Sequence, residues 1–327
     1  MTKYLEELGY SVNQYSIPNF DALNYKSRIG KAFIYYQFFK VALTTILSAN
    51  DNDIIVATNF HVGAIASILA PITKKSCKIL GINLILGEKP VLINFLRKVM
   101  FGFAFKNKNF FFTVNNYELL NEYQKYISMS FPHNKIFELK DHYVNPIIAE
   151  GEVSEQNYIF TGGENSRDWS TLFRAAELIP EVKFLCVARK RLFSKIKPPP
   201  NVVMYFDIDY TQFINLMKNC CLVALPLNKD IPAGLLVMFD AVALGKPVII
   251  TRTSITQNYI VDAETGILID KNDYNALANN ILELMHNKKR RDLIANKMRD
   301  KLFTEYSASN YSQKIEDILQ KLSASSS

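Results

Sequence analysis

The sequence predicts two α/β domains, each a parallel, doubly wound sheet wrapped by helices. Three observations carry this expectation. Apolar runs of strand length alternate with helical patterns nearly from end to end. The chain has 327 residues, 49% of them hydrophobic, enough for two ordinary domains. Between Tyr143 and Asn157 the stretch YVNPIIAEGEVSEQN loses its periodicity and carries Pro146 and Gly151, which marks a linker. The expected division is therefore 1–150, 151–305 and a C-terminal helix, 306–327, that packs back on the first domain.

Taken in order, the first domain has strand candidates at Ser11–Ser16, Asp53–Thr58, Cys77–Leu86 and Phe110–Val114. Helical patterns fill the gaps at Arg28–Leu47, Val62–Ala70, Val91–Phe105 and Asn116–Ile127. The second domain restarts with strands at Tyr158–Thr161, Val182–Val187, Val202–Phe206, Leu222–Leu225, Pro247–Thr251 and Gly266–Ile269. Helices are expected at Trp169–Leu178, Thr211–Asn219 and Leu235–Leu244, and from Asp273 onward the chain reads as helix with a solvated KKRRD face. A short helix between two strands is expected within Thr251–Asp270.

Composition excludes several classes. Twelve Gly and twelve Pro without period argue against collagen-like or low-complexity chains, and no run of apolar residues is long enough to span a bilayer. The four cysteines have neither zinc-site spacing nor the density of a secreted disulfide scaffold, which points to a reducing cytoplasm. MTKYLEELGYSV reads as an amphipathic helix rather than an export leader. The net charge is +7; residues 1–150 carry 16 basic against 11 acidic side chains. An uneven positive excess favours anionic partners, and because the basic residues are scattered rather than striped, nucleic acid is not among those expected.

Two stretches of the second domain carry chemistry. In YIFTGGENSRDW a strand runs into Gly162 and Gly163 and then a helix start, where backbone can approach a ligand and free N–H groups face an anion. Arg167 adds a cation. In LPLNKDIPAGLLVMFDAVALGKPVII a polar loop with Lys229 and Asp230 leads through Pro232, Ala233 and Gly234 into a helix opening at Leu235. Asp240, six residues past Gly234, lies roughly 9 Å along that helix, close to the span between a diphosphate and its ribose. It interrupts an otherwise apolar helix, where a carboxylate needs a partner.

The order GG…R, then D-x-P-A-G…D-A-x-A-x-G-K-P-V-I, then Y-I-V-D-A-E-T-G-I-L-I-D resembles the C-terminal donor domain of GT-B glycosyltransferases of the family 4 (group 1) type, over about Tyr158–Leu322. The resemblance implies two Rossmann-like domains facing a cleft, with Gly162, Gly163, Arg167, Ala233, Gly234 and Leu235 at the donor diphosphate and Asp240 at the ribose; Lys229 or Arg189, neither placed by the motif, is the candidate for a second cation there. Asp240 replaces a usual Glu. Pro232 stands where the earlier member of the family's acidic pair falls, so Asp230 is the remaining candidate for the donor sugar. Glu164 stands where a second basic residue is usual. LEELGYSV resembles the family's first helix and second strand, so the first domain is expected to lack its opening strand and glycine-rich turn.

The implied activity is transfer of a sugar from a nucleoside diphosphate sugar to a hydroxyl of a glycan or glycolipid, with retention and without a metal or other cofactor, in cell-surface polysaccharide or glycoconjugate synthesis. A non-catalytic subunit supporting a partner glycosyltransferase, or a nucleotide-sugar epimerase, are the rival readings. Asp51-Asn52-Asp53 precedes a strand, whereas Asp207-Ile208-Asp209 sits at a strand end and is the alternative metal motif. His61, at the C-terminal edge of a strand where open α/β sheets place ligands, is the histidine candidate for catalysis. Finally, KAFIYYQFFKVALTTI and PVLINFLRKVMFGFAFKNKNFFF mix large aromatics with Lys and Arg, a pattern of helices that lie on anionic membrane surfaces. The expected location is the cytoplasm, at the inner face of the membrane.

Overall fold

The computed structural model describes residues 1–16, 28–87, 89–144, 154–190, 197–230 and 233–324. The core of the expected linker, 145–153, and Pro232 lie outside them. The chain forms two compact units, Met1–Asp141 with Ser309–Ser327, and His142–Ala308.

The first unit is built on a four-stranded parallel sheet, β1 (Ile54–Ala57), β2 (Lys78–Gly81), β3 (Phe110–Val114) and β4 (Ile136–Glu138), adjacent in sequence order. Its helices are α1 (Thr2–Glu7), α2 (Arg28–Ser48), α3 (Phe60–Ile72), α4 (Val91–Lys106), α5 (Leu119–Ile127) and, from the far end of the chain, α11 (Ala308–Ala324). One buried cluster joins Leu5 of α1 to Leu80, Ile82 and Leu139 and to Ile315, Ile318, Leu319 and Leu322 of α11. A second is aromatic: the Phe60 ring lies 5.1 Å from Phe101 and 5.4 Å from Phe112, geometry that adds to the ~1.5–3 kcal/mol of burying each ring. α3 lies so close to β2 that a Cβ on Gly63 would come within 2.9 Å of the Gly81 Cα.

Two strands differ from expectation. Ser11–Ser16 is irregular; Val12 alone of that stretch packs on the core, and its polar neighbours present no apolar face for a ladder to bury. Cys77–Leu86 is strand only over Lys78–Gly81, because Asn83 adopts φ 62°. Its backbone N–H donates to Thr113 Oγ1 at 2.8 Å, which holds the turn.

The second unit carries six parallel strands, β5 (Tyr158–Gly162), β6 (Lys183–Ala188), β7 (Val202–Phe206), β8 (Leu222–Leu225), β9 (Val248–Thr251) and β10 (Ile267–Ile269), in the order β10-β9-β8-β5-β6-β7. Counted from β5, this is the doubly wound order 3-2-1-4-5-6, and the reversal falls between β5 and β8. Both strands are wholly buried, as apolar runs covered on two faces should be. α6 (Trp169–Leu178) and α9 (Tyr274–His286) pack together, while α7 (Tyr210–Lys218), α8 (Leu235–Ala243) and α10 (Lys288–Glu305) complete the layers. The helix expected between β9 and β10 is a single 3₁₀ turn, Thr256–Asn258. Its start is secured by reciprocal Thr253 and Thr256 hydrogen bonds.

Candidate donor-binding site

The strand reversal creates a crevice at the C-terminal ends of β5 and β8, the place where open α/β sheets bind ligands. The glycines at the end of β5 and just after it are there for space. A Cβ on Gly162 would lie 2.5 Å from Phe213, and one on Gly163, at φ 113°, would lie 2.7 Å from Arg167 Nη2. Gly234 caps α8 at φ 83°, and a Cβ there would lie 3.2 Å from Arg167 Nη1. The Arg167 guanidinium thus occupies the gap that two left-handed glycines leave open.

Arg167 is only 6% exposed. Its Nε donates to the Gly162 carbonyl at 2.6 Å, but Nη1 is buried with no partner among the described residues. Burial lowers its pKa to about 10, so it remains a cation at neutral pH. An unpaired buried charge is costly. The same gap is bounded by the mouth of α8, whose first N–H groups have no intrahelical acceptor and carry the positive end of the helix dipole. Ala233 and Leu235, on either side of Gly234, are buried. Together these groups form an anion cradle.

Asp240, on the second turn of α8, is 5% exposed, and burial raises its pKa to about 6 against the opposing effect of a hydrogen bond from Tyr210. The Tyr210 hydroxyl donates to Oδ2 at 3.2 Å. The Tyr210 ring stacks on Phe213, with centroids 6.4 Å apart and planes at 11°. Phe213 in turn lines a cavity of about 160 Å³ with Gly163, Glu164, Val187, Ala188, Arg189, Asp207 and Ile208. Contacts therefore run from Arg167 through Gly162 and Phe213 to Tyr210 and Asp240.

The remaining candidates are placed elsewhere. Asp230 accepts from the backbone N–H and hydroxyl of Ser254, at 3.1 and 2.7 Å, in the turn after β9. Lys229 is exposed. Of the alternative metal motif, Asp207 faces Arg189 at 3.5 Å while Asp209 caps α7 by accepting from the Gln212 N–H at 2.8 Å. His61 lies in the first unit at the start of α3, where Asn59 Oδ1 accepts its backbone N–H. Rings of Tyr35, Phe38, Phe60 and Phe101 surround it at 6.0–6.5 Å. Burial and the nearby Arg97 cation lower its pKa to about 4, which keeps it neutral.

Sequence reasoning missed Tyr210 and the cavity beside Phe213. The available signal was Asp209-Tyr210 directly after a strand, a helix start on the ligand side of the sheet. It also missed a polar cluster in the first unit, where Asp141 accepts from Asn83 at 3.2 Å and Asn115 at 3.0 Å.

Residues 188–301 match the family model described as "Glycosyl transferases group 1". Over these residues the chain is similar to the group 1 glycosyltransferases. The whole chain shares the GT-B fold of solved glycosyltransferases. HepE of Anabaena, solved in complex with UDP-glucose, is 17% identical, with a TM-score of 0.64 over 87% of this chain and 82% of that one. Sucrose-phosphate synthase from Thermosynechococcus elongatus is 15% identical, with a TM-score of 0.67 over 93% and 82%. A glycosyltransferase from Rickettsia africae ESF-5 is 14% identical, with a TM-score of 0.63 over 98% and 87%. No curated protein matches the sequence. The resemblance drawn from the motifs is borne out for the fold and for the group 1 domain.

Proposed function

We propose that the chain transfers a sugar from a nucleoside diphosphate sugar to a hydroxyl of a growing glycan or glycolipid. The observation that carries this is Arg167, a buried cation whose Nη1 has no partner among the described residues, set between two left-handed glycines at the mouth of α8. Such a cradle suits the donor diphosphate: guanidinium and helix N–H groups stabilise negative charge without a metal. Asp240 accepts from the ribose hydroxyls, displacing Tyr210, and the cavity beside Phe213 takes the base. HepE, solved with UDP-glucose, makes a uridine donor the first to test. Asp230 is assigned to the sugar on the resemblance alone, and His61 to catalysis on its place at the C-terminal edge of β1.

In the proposed reaction the bond from the anomeric carbon to the diphosphate breaks, and the acceptor oxygen bonds to that carbon with retention. The acceptor proton passes to the departing phosphate oxygen, which accounts for the lack of a dedicated base in the cradle. The setting proposed is cell-surface polysaccharide or glycoconjugate synthesis, in the cytoplasm at the inner membrane face. Among the described residues no helix is long and apolar enough to cross a membrane.

The test is a thermal-shift screen against UDP-, GDP- and dTDP-sugars with Arg167→Ala and Asp240→Ala as controls. One donor class should raise Tm through mass action, and both substitutions should abolish the rise. Slow donor hydrolysis without acceptor supports the enzyme, whereas binding with no turnover supports a non-catalytic subunit. No shift with any nucleotide sugar refutes the reading.

A further inference from the structure

The first unit presents apolar surface that its own core does not use. α4 buries Phe101 and Ala104 on one side. On the other, Leu92, Phe95, Leu96, Val99 and Phe103 recur at helical spacing and are all exposed, Leu92 by 69% and Phe95 and Leu96 by 58% each. A helix that is apolar on both faces has a second apolar environment to meet. α2 repeats the feature with Phe33, Tyr36 and Phe39 exposed. The two helices flank the same point, since Tyr35 and Phe38 of α2 and Phe101 of α4 all pack around His61.

Charge decides what covers this face. Neither α2 nor α4 contains an Asp or Glu. Lys40, Lys98 and Lys106 are exposed among the aromatics, and Lys106 Nζ lies 5.2 Å over the Phe103 ring. A protein partner would ordinarily be met by charges of both signs, whereas apolar side chains on two helices that carry basic but no acidic residues complement acyl chains beneath anionic headgroups.

We infer that the exposed faces of α4 and α2 seat the first unit on an anionic bilayer, with Phe95 and Leu96 entering the headgroup–acyl boundary and the lysines contacting lipid phosphates. This deepens the acceptor half of the function proposed above: a surface-bound unit meets acceptors whose hydroxyls are presented at the membrane. Vesicle binding itself does not require that reading to hold.

The test is flotation of the full chain with phosphatidylcholine vesicles containing or lacking phosphatidylglycerol, at low and high salt, for the parent and for Phe95→Glu/Leu96→Glu. The parent should float with the anionic vesicles at low salt and much less with the neutral ones. The paired substitution should weaken partitioning by about tenfold or more, through lost apolar insertion and added repulsion. Because both side chains are already exposed, the variant should keep the parent Tm. Its nucleotide-sugar thermal shift is read in parallel, so loss of donor binding and loss of membrane binding are scored separately. A parent that stays with the pellet, or a variant that floats like the parent, overturns the inference. So does a parent dimer in light scattering that the substitutions dissociate, since the face then belongs to a second copy.

Discussion

Replacing Arg167 by Met separates a ligand-binding cation from a structural one. The native guanidinium gives up one charged hydrogen bond to the Gly162 carbonyl, worth about 1.5–3 kcal/mol. Against that stands the several kcal/mol of keeping a partly unpaired cation out of water, while the Met side chain fills much of the same apolar volume. These terms nearly cancel. The unliganded variant should therefore melt within about 4 °C of the parent, corresponding to roughly 1 kcal/mol. Donor binding has no such compensation. Removing one partner of a desolvated charge pair costs about 2–5 kcal/mol, or about 30-fold to several thousand-fold in Kd. Isothermal titration with UDP and UDP-glucose, alongside thermal melts, reads both quantities. Donor Kd within threefold of the parent would refute the diphosphate assignment, and an unliganded Tm more than about 10 °C lower would show that the cation holds the fold together.

Four further outcomes are expected. Donor affinity should rise between pH 5 and 7 with a step near 6, where Asp240 ionises, and a titration series on Asp240→Asn should lack the step. Since the folded pKa of Asp240 lies above its unfolded value, unliganded stability falls as pH rises from about 4 to 6, and Asp240→Asn should flatten that slope in urea melts. Gly162→Ala would press its Cβ against the Phe213 ring and should cost about 1–3 kcal/mol by chemical denaturation. Leu319→Ala, in the cluster shared by α11 and the first sheet, should cost about 2–5 kcal/mol, lowering the denaturation midpoint without changing donor affinity.

The two parallel sheets were legible because buried parallel strands read as uninterrupted apolar runs, as in FLCVA and LVAL. Ser11–Ser16 deceived because a short alternating stretch looks the same whether or not a ladder partner exists. Cys77–Leu86 was read too long because nothing local shows that Asn83 bonds to Thr113, thirty residues away. At the site, Gly163, Arg167, Gly234 and Asp240 could be named because glycines at helix mouths and a carboxylate within an apolar helix are local anomalies. Tyr210 could not, since its meaning lies in a hydrogen bond to a residue thirty positions on. Likewise Asp230 is tied to Ser254 by a turn whose geometry no spacing rule gives.

The last helix, α11, belongs to the first unit although the whole second unit separates them in the chain. During synthesis the ribosome delivers residues 309–324 only after His142–Ala308 has emerged. The first sheet then waits with Leu80, Ile82 and Leu139 uncovered while the second unit is already free to fold. The first unit should thus complete its fold only after the second has emerged, and a released chain truncated before Ser309 should be protease-sensitive in its first unit and resistant in its second.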